Sequence, residues 1–315
     1  MTGGEAFRSA AYGLIWAGAL PLPGAAPAPP DAPADVEIAL GPLPAARPGR
    51  VVGPFWRLCE DGSAWYLRDG LRALVEDGRR VLIDAPEDWS AARTGLEAAY
   101  GPPAAILHQR RAMPLHAAAL ASESGAALIV GAAGQGKSSL ARALAAEGWR
   151  AAGDDVAVIE DGPVPALPQG LATARLFADG ASAGRSAETL LGGGRGVGKA
   201  VVALPAGAPL TWPAPLRAVL FLEWVHPASA RPRLTPLAPM AALGRLRAAV
   251  LRPEFVLPLG LEGVYLGRLA RILSAAPAFV LGRPRRWSAM DGTTALAREA
   301  VETGAARAEL QGSEP

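Results

Sequence analysis

The chain has 315 residues and a formal net charge of +2, and half of its residues are apolar. That length suffices for one large or two moderate domains with substantial hydrophobic cores. The sequence contains no dense block of Lys and Arg with interleaved aromatic residues, which argues against a nucleic-acid partner. Cys59 is the single cysteine, so the sequence excludes an intrachain disulfide and a cysteine-based metal site and fits a reducing compartment.

The first apolar segment, residues 10–22, is too short to span a bilayer and lacks the strongly basic start of a signal peptide. It runs directly into a proline-rich stretch, and residues 24–34 are interpreted as a Pro/Ala linker or extended arm. We therefore expect a cytoplasmic protein without a membrane segment.

Residues 1–104 are predicted to form a small β-rich domain. Short apolar pieces alternate with turn sequences, of which Asp61-Gly62 and Glu76-Asp77-Gly78 are typical of hairpins. Trp56 and Trp65 are expected in the core of this domain rather than in a ligand cage. The predicted elements are strands at residues 36–40, 51–52, 65–67 and 81–83 and a helix around residues 88–100.

His116 lies in the next apolar segment. Residues 105–111 are predicted to be helical and to lead into a strand at residues 113–120, MPLHAAAL. A lone histidine in an apolar segment is more often a core residue with a satisfied hydrogen bond than a functional group. The segment alone leaves both interpretations open.

A glycine-rich motif follows a short apolar run at residues 127–130, which is typical of a buried strand. Residues 131–138, GAAGQGKS, match the P-loop pattern G-x-x-x-x-G-K-[ST], and the sequence after them predicts a helix that stops near Gly148. The alternative is a chance glycine-rich turn between a strand and a helix. The complete match between two plausible elements favours a nucleotide site.

The chemistry of a P-loop assigns a role to each position. Glycines let the backbone N–H groups surround a polyphosphate, and the following helix presents its positive end to the same anion. Lys137 would reach the β- and γ-phosphates of ATP, and the Ser138 hydroxyl would hold Mg²⁺. The expected ATP-binding residues are Gly131, Ala132, Ala133, Gly134, Gln135, Gly136, Lys137, Ser138 and Ser139.

An acidic pair, Asp154-Asp155, precedes a second apolar stretch at residues 156–159, which is predicted to be a strand. Two adjacent carboxylates repel each other, so both ionise only where a cation neutralises them. Beside Mg·ATP, one could hold the metal and the other could accept a proton from an attacking hydroxyl. An Asp pair can also form a solvated turn before a strand.

The order and spacing of His116, the motif at residues 131–138 and the Asp154-Asp155 pair resemble the C-terminal catalytic domain of HPr serine kinases and their relatives. The resemblance covers about residues 105–225. It implies that Asp154 takes the proton of the acceptor hydroxyl, that His116 orients or polarises Asp154, and that Asp155 helps to hold Mg²⁺.

The whole chain is most similar to the shorter kinase relatives encoded beside peptide-modification genes, including lasso-peptide clusters. The resemblance implies substrate or leader recognition by the N-terminal domain, and it allows a homo-oligomer. The family's second signature, an acidic residue before Arg-Gly-x-Gly, is missing after the acidic pair. Asp179 stands near the right place and is a candidate metal ligand, although ADG is also an ordinary turn sequence.

A second glycine-rich stretch, residues 190–199, ends in Lys199 but lacks the Ser/Thr and the helix of a P-loop, since residues 200–204 are strand-like. It is interpreted either as a loop that closes over the reacting groups, with Arg195 or Lys199 offering charge, or as a surface loop. The remaining predicted elements are strands at residues 164–167, 216–224 and 279–281, a proline-rich crossing at 227–239, and helices at 237–250, 264–273 and 291–303, with a fraying tail from 304.

Together these observations predict an α/β fold. A P-loop-containing HPr kinase-like catalytic domain, residues 105–315, with a central sheet flanked by helices, follows the smaller β-rich domain. The leading hypothesis is an ATP-dependent phosphotransferase that moves the γ-phosphoryl group to a serine hydroxyl of a peptide, such as a lasso precursor, or of a small protein. Two alternatives stay open, namely a nucleotide-binding switch or scaffold without transfer activity and a kinase of a small-molecule alcohol.

Overall fold

The computed structural model describes residues 7–45, 47–177, 190–193, 199–205 and 210–312. Within these residues the chain forms a mixed α/β structure with three β-sheets and six α-helices. No helix in this part of the chain is both long and apolar enough to cross a membrane.

The first sheet is built from the N-terminal strands. They are β1 (Phe7–Ala11), β2 (Leu14–Gly18), β3 (Ala26–Pro27), β4 (Val36–Leu40), β5 (Gly49–Val51), β6 (Trp56–Cys59), β7 (Ala64–Arg68), β8 (Leu71–Glu76) and β9 (Arg80–Asp84). Their spatial order is β3-β1-β2-β4-β9-β8-β7-β6-β5. Neighbours are antiparallel except for the pairs β2–β4 and β4–β9. The strands predicted at residues 36–40, 65–67 and 81–83 are confirmed by this sheet, whereas the one predicted at 51–52 overlaps β5 only at Val51.

Turn chemistry explains the hairpins of this sheet. Asp77, Gly78 and Arg79 join β8 to β9, with φ angles of +54° and +64° at Asp77 and Gly78, and this connection confirms the hairpin that the sequence predicted there. Tyr12 and Gly13 make a two-residue turn between β1 and β2, with φ angles of +60° and +74°. The sequence did not predict this second hairpin, because its apolar run has no Asn-Gly or Asp-Gly signal.

Two helices cover this sheet. Helix α1 (Ala91–Tyr100) begins after Ser90, whose hydroxyl accepts a hydrogen bond from the Arg93 N–H group, and α2 (Pro102–Gln109) follows it directly. Ile106 of α2 lies fully buried in the same core as Trp56. Trp56 is therefore a core residue as predicted, whereas Trp65 is only half-buried.

The remaining strands follow α2 in the chain. They are β10 (Ala117–Ser122), β11 (Gly125–Val130), β12 (Arg150–Gly153), β13 (Ala166–Leu167), β14 (Thr173–Phe177), β15 (Leu190–Gly193), β16 (Lys199–Ala203), β17 (Ala214–Val225), β18 (Arg233–Pro236) and β19 (Ala278–Pro284). The second sheet has the order β12-β10-β11-β17-β19-β18, with β13 paired to β17, and the third has the order β14-β16-β15. Strand β18 lies within the stretch that was expected to be only a proline-rich crossing.

Strand directions in the second sheet determine which residues share an edge. Strands β11, β17 and β19 are parallel, while β10 is antiparallel to both β11 and β12. Strand β12 therefore runs in the same direction as β11, β17 and β19. The carboxyl ends of these four strands and the beginning of β10 lie along one edge of the sheet.

Helices pack on both faces of the second sheet. Helices α3 (Lys137–Ala146) and α6 (Met290–Gly312) cover one face, and α4 (Pro239–Ala248) and α5 (Glu262–Ala275) cover the other. Short 3-10 turns at Pro253–Phe255 and Trp287–Ala289 lead into the last two helices. Helix α6 continues to Gly312 instead of ending near residue 303, so the expectation of a fraying tail from residue 304 is wrong.

The segment at residues 156–159 differs from its prediction as a strand. It makes one isolated bridge, between Ala157 and Leu115, and joins no sheet. Val156 and Val158 pack into the core of the first sheet, whereas Ala157 and Ile159 pack into the core under α4 and α5. The apolar run is explained by its position between two cores rather than by a β-ladder.

Candidate functional site

The shared edge of the second sheet gathers residues from four separate segments. His116 immediately precedes β10, the glycine-rich loop follows β11, Asp154 follows β12, and Arg283 lies near the end of β19. Ligands of open α/β sheets bind outside the carboxyl ends of parallel strands. Asp154 and Asp155 thus follow a strand and do not precede one as the sequence suggested.

The loop at residues 131–136 has a geometry that depends on glycine. Gly134 and Gly136 have φ angles of +82° and +85°, in the left-handed region that other residues avoid. A Cβ atom at Gly131 would lie 2.7 Å from Gln135 Oε1, which accepts a hydrogen bond from the Ala132 N–H group over 2.6 Å. The loop therefore folds tightly back on itself before α3 begins at Lys137.

The other predicted binding residues lie where the loop is open. Ala132, Ala133 and Gly134 are exposed, and Ser138 and Ser139 are half-buried in the first turn of α3. The backbone N–H groups of a helix's first turn have no partner within the helix. This end of α3 is therefore suited to bind an anion.

Lys137 is buried, and its ammonium group is held at the loop. Its Nζ donates to the Gly131 carbonyl oxygen over 2.8 Å and lies 3.1 Å from Nε2 of His116. The side chain therefore points back along the loop toward the end of β11, where a phosphate group held by the loop would lie.

These contacts indicate which tautomer a neutral His116 adopts. An ammonium group has no lone pair, so Nε2 of His116 accepts from Lys137. The proton of a neutral imidazole then lies on Nδ1, which donates to the main-chain oxygen of Asp155 over 3.3 Å. His116 thus connects Lys137 to the backbone of the acidic pair, whereas the resemblance implied contact with the Asp154 side chain.

Asp154 is the buried member of the acidic pair, with 4% of its surface exposed. Its Oδ2 accepts a hydrogen bond from the Arg175 N–H group over 2.9 Å, while its Oδ1 is buried and has no hydrogen-bond partner among the described residues. Burial, reinforced by the charge of Asp155, raises the pKa of Asp154 to about 7, against hydrogen bonds from Arg175 and Ser138 and the charge of Lys137. A carboxyl group with such a pKa can serve as a base near neutral pH.

Asp155 is less buried and already has a counter-charge. The Arg175 guanidinium group donates to Asp155 Oδ2 over 3.0 Å. The same guanidinium group stacks over the Tyr100 ring at 5.1 Å, and the Tyr100 hydroxyl is hydrogen-bonded to Thr173 over 2.6 Å. Strand β14 therefore supplies a backbone donor to one carboxylate and a cation to the other.

Sequence reasoning missed the two arginines of this site. Arg175 lies in a strand with no motif, and its alignment with the acidic pair arises only when β14 packs beside β12 and α3. Arg283 belongs to no motif of the sequence, and it lies buried against Gly136, 147 positions away in the chain. Asp179 and Arg195, which the sequence singled out, lie outside the described residues.

A cavity of about 370 Å³ opens beside the glycine-rich loop. His116, Gly131 and Gln135 form its wall on the loop side, and Phe221 and Leu222 of β17 form its apolar wall. Glu223 also lines it and forms a surface ion pair with Arg245 over 2.6 Å. The cavity is thus large and apolar enough to hold a side chain or a small ring next to the loop.

The donor set fits Mg²⁺ bound together with phosphate groups. Mg²⁺ in such sites takes one or two protein oxygens and fills its shell with phosphate oxygens and water. The described residues include no group of three or more His, Cys, Asp or Glu side chains that could hold a metal by themselves. The Ser138 hydroxyl and the Asp155 carboxylate provide the two protein oxygens that such a shared site requires, and the Oδ1 of Asp154, which has no hydrogen-bond partner among the described residues, lies beside them.

Comparisons with known proteins give structural likenesses but no family. No protein-family model matches the chain, and neither does any curated protein at the level of significance required. The chain is similar to the solved structure of the Hpr(Ser) kinase/phosphatase from Coxiella burnetii, with 14% identity and a TM-score of 0.29, over 60% of this chain and 97% of that one. At that TM-score the likeness carries no argument about the site, so the assignment below rests on the residues described above.

Proposed function

We propose that the chain is an ATP-dependent kinase that transfers the γ-phosphoryl group to a hydroxyl group, with a serine of a peptide or small protein as acceptor. The observation that carries the proposal is the buried, unpartnered Oδ1 of Asp154 beside Lys137 and the first turn of α3. An unsatisfied buried carboxylate is costly to stability and calls for a functional explanation.

The phosphate groups would be held by the loop and by α3. Backbone N–H groups at residues 133, 134 and 136–138 and the helix dipole attract the β-phosphate, and the Lys137 ammonium group balances charge between the β- and γ-phosphates. Mg²⁺, when bound, neutralises charge that develops on the phosphate oxygens. Ser138 and Asp155 would hold that ion, and Asp179 is a further candidate from the sequence.

The transfer step would use Asp154 as the base. Its Oδ1 accepts the proton of the acceptor hydroxyl while that oxygen forms its bond to the γ-phosphorus and the bond to the β–γ bridging oxygen breaks, releasing ADP. The Arg175 N–H group fixes the carboxylate through Oδ2, so Oδ1 keeps one orientation. His116 acts as a positioning residue, because it contacts Lys137 and the Asp155 backbone.

The peptide acceptor is supported by the cavity beside the loop and by the resemblance of the sequence to kinases from peptide-modification clusters. A cavity with apolar walls next to the transfer site can hold a side chain that flanks the acceptor serine. A small-molecule alcohol would fit the same chemistry, and a panel of alcohols assayed by ADP release would identify it.

A switch or scaffold that binds ATP without transferring phosphate is the second candidate. The Arg175 guanidinium group favours it, since this group already occupies one oxygen of the Asp155 carboxylate. Intact-mass analysis of a serine-containing candidate peptide after incubation with Mg·ATP separates the two functions. A kinase adds the mass of one phosphate to the peptide, whereas a switch leaves the mass unchanged.

A further inference from the structure

Arg283 is a buried cation to which the described residues offer no acidic partner. Only 5% of the surface of Arg283 is exposed, yet no carboxylate of the described residues forms an ion pair with its guanidinium group. Burial alone lowers the pKa of Arg283 to about 10, with no opposing contribution from an acid. Every other buried charge of the site, Lys137 and Asp154, faces a charge of opposite sign.

The contacts of Arg283 do not neutralise its charge. Nη1 donates to the Gly136 carbonyl oxygen over 3.3 Å, and the guanidinium carbon lies 4.8 Å from the centre of the Trp224 ring. A carbonyl dipole and an aromatic face stabilise a guanidinium group only partly, and a desolvated cation without a counter-ion is unfavourable.

The position of the guanidinium group indicates where the missing anion binds. A Cβ atom at Gly136 would lie 2.8 Å from Nη1, so the guanidinium group is packed against the N-cap residue of α3. Gly136 is the last residue of the loop before Lys137, and the positive end of α3 points the same way.

We propose that Arg283 is a phosphate-binding residue of this site, whose counter-ion is the polyphosphate chain bound at the loop of residues 131–138. This inference rests on the proposed nucleotide site but not on transfer of phosphate. It assigns the loop a second cation, supplied by strand β19, in addition to Lys137.

A purely structural role of Arg283 predicts different effects of substitution than phosphate binding does. If Arg283 only braces Gly136 by its hydrogen bond, then Arg283→Met lowers the melting temperature of the nucleotide-free chain, and the folded protein binds ATP as before. If Arg283 instead binds a phosphate group, the nucleotide-free Arg283→Met protein melts at the same temperature as the wild type or at a higher one. The reason is that the substitution removes an unpaired buried charge. ATP affinity then falls.

The test is calorimetric titration of the full chain with Mg·ATP and with inorganic tripolyphosphate. For both probes we expect about 30-fold weaker binding in Arg283→Met, as for truncation of one partner of a buried charge pair, and a smaller loss in Arg283→Lys. Arg285→Gln is the matched control, since Arg285 faces the same Trp224 ring at 5.9 Å but is exposed. It should bind both probes within about twofold of the wild type.

Equal affinity for tripolyphosphate in the wild type and Arg283→Met would overturn the inference. If the Met variant does not fold, equal affinity in the wild type and Arg283→Lys would overturn it instead. Failure of the kinase proposal looks different. In that case tripolyphosphate binding depends on Arg283, but no acceptor gains phosphate.

Discussion

Asp154 and Arg175 are joined through the main chain, because the Arg175 N–H group donates to Asp154 Oδ2 over 2.9 Å. The guanidinium group of the same arginine donates to Asp155 over 3.0 Å. One residue of β14 therefore serves both carboxylates through two separate groups. This division leaves Oδ1 of Asp154 buried and without a partner in the part of the chain that the structure describes, and the proposed chemistry depends on that oxygen.

Replacing Asp154 by Asn should abolish transfer but preserve nucleotide binding. The amide oxygen can still accept from the Arg175 N–H group, while the amide nitrogen takes the place of the proton-accepting oxygen. We expect transfer, measured as ADP release with acceptor present, to fall by about 10²–10⁴-fold. Calorimetric affinity for ATP should change by less than about threefold.

The matched control for this variant is Asp161→Asn. Asp161 is an exposed carboxylate that pairs with Arg268 and Arg271 at the surface. It should retain full transfer activity. An Asp154→Asn protein that turns over at the wild-type rate would remove Asp154 from the mechanism.

Replacing Arg175 by Met tests the charge balance of the acidic pair. The backbone N–H group remains, but Asp155 loses its cation, and the two neighbouring carboxylates then repel each other. Both side chains are mostly buried, with 23% and 16% exposed, so we expect the unfolding free energy to fall by about 1–3 kcal/mol. Millimolar Mg²⁺ should recover more stability in this variant than in the wild type.

Arg298→Met provides the comparison, since Arg298 pairs with Glu147 at the surface and should contribute less than about 1 kcal/mol. Chemical denaturation with and without Mg²⁺ gives the unfolding free energies of the wild type, Arg175→Met and Arg298→Met. Equal losses in the two variants, with no effect of Mg²⁺, would contradict the proposed arrangement.

Two glycines of the loop provide a matched pair of substitutions. Gly134 and Gly136 have nearly the same φ angle, but a Cβ atom at Gly134 meets nothing within 4 Å, whereas one at Gly136 lies 2.8 Å from Arg283 Nη1. Gly134→Ala should therefore cost about 1 kcal/mol from backbone conformation alone. Gly136→Ala should cost about 1–2 kcal/mol more, because the guanidinium group must move. Thermal denaturation that gives the same value for both would show that Arg283 does not press on the loop.

His108 predicts a pH dependence of stability. Its Nδ1 lies 2.9 Å from the Tyr265 hydroxyl and its Nε2 lies 2.7 Å from the Leu251 carbonyl oxygen, and burial lowers the pKa of His108 from 6.5 to about 4. Between these values the unfolded chain binds a proton that the folded chain does not. The contribution of His108 to the unfolding free energy is therefore complete above pH 6.5 and is lost as the pH falls toward 4.

By pH 5 this loss amounts to about 2 kcal/mol. His108→Gln keeps an amide N–H donor for the Leu251 carbonyl oxygen but does not titrate. The unfolding free energy of the wild type, measured between pH 7 and pH 5, should fall more steeply than that of the variant. Parallel pH profiles would mean that His108 is not the responsible group.

The sequence predicted the local parts of the site and missed those that depend on tertiary packing. The strand and helix around residues 131–138 follow from a local motif, and the structure has them as β11 and α3. The apolar alternation at residues 156–159 looked like a strand because each side faces a different core. The hairpin of β1 and β2 was missed because Tyr12, at φ +60°, is not a typical turn residue.

The two arginines could not have been found from local sequence. Arg175 contacts the acidic pair from 20 and 21 positions away, and Arg283 contacts Gly136 across 147 positions. Neither belongs to a pattern with fixed spacing, so only the sheet order and the packing of β14 bring them to the site. The division of the chain at residue 104, the acceptor and the state of assembly stay predictions.

The most direct test is calorimetric titration of the full chain with Mg·ATP, followed by the same titration of Lys137→Met. The account predicts one ATP per chain in the wild type and at least tenfold weaker binding in the variant, because the buried ammonium group at the loop would be lost. Absence of heat in the wild type, or equal affinity in the two proteins, would contradict the claim that the loop at residues 131–138 holds a triphosphate.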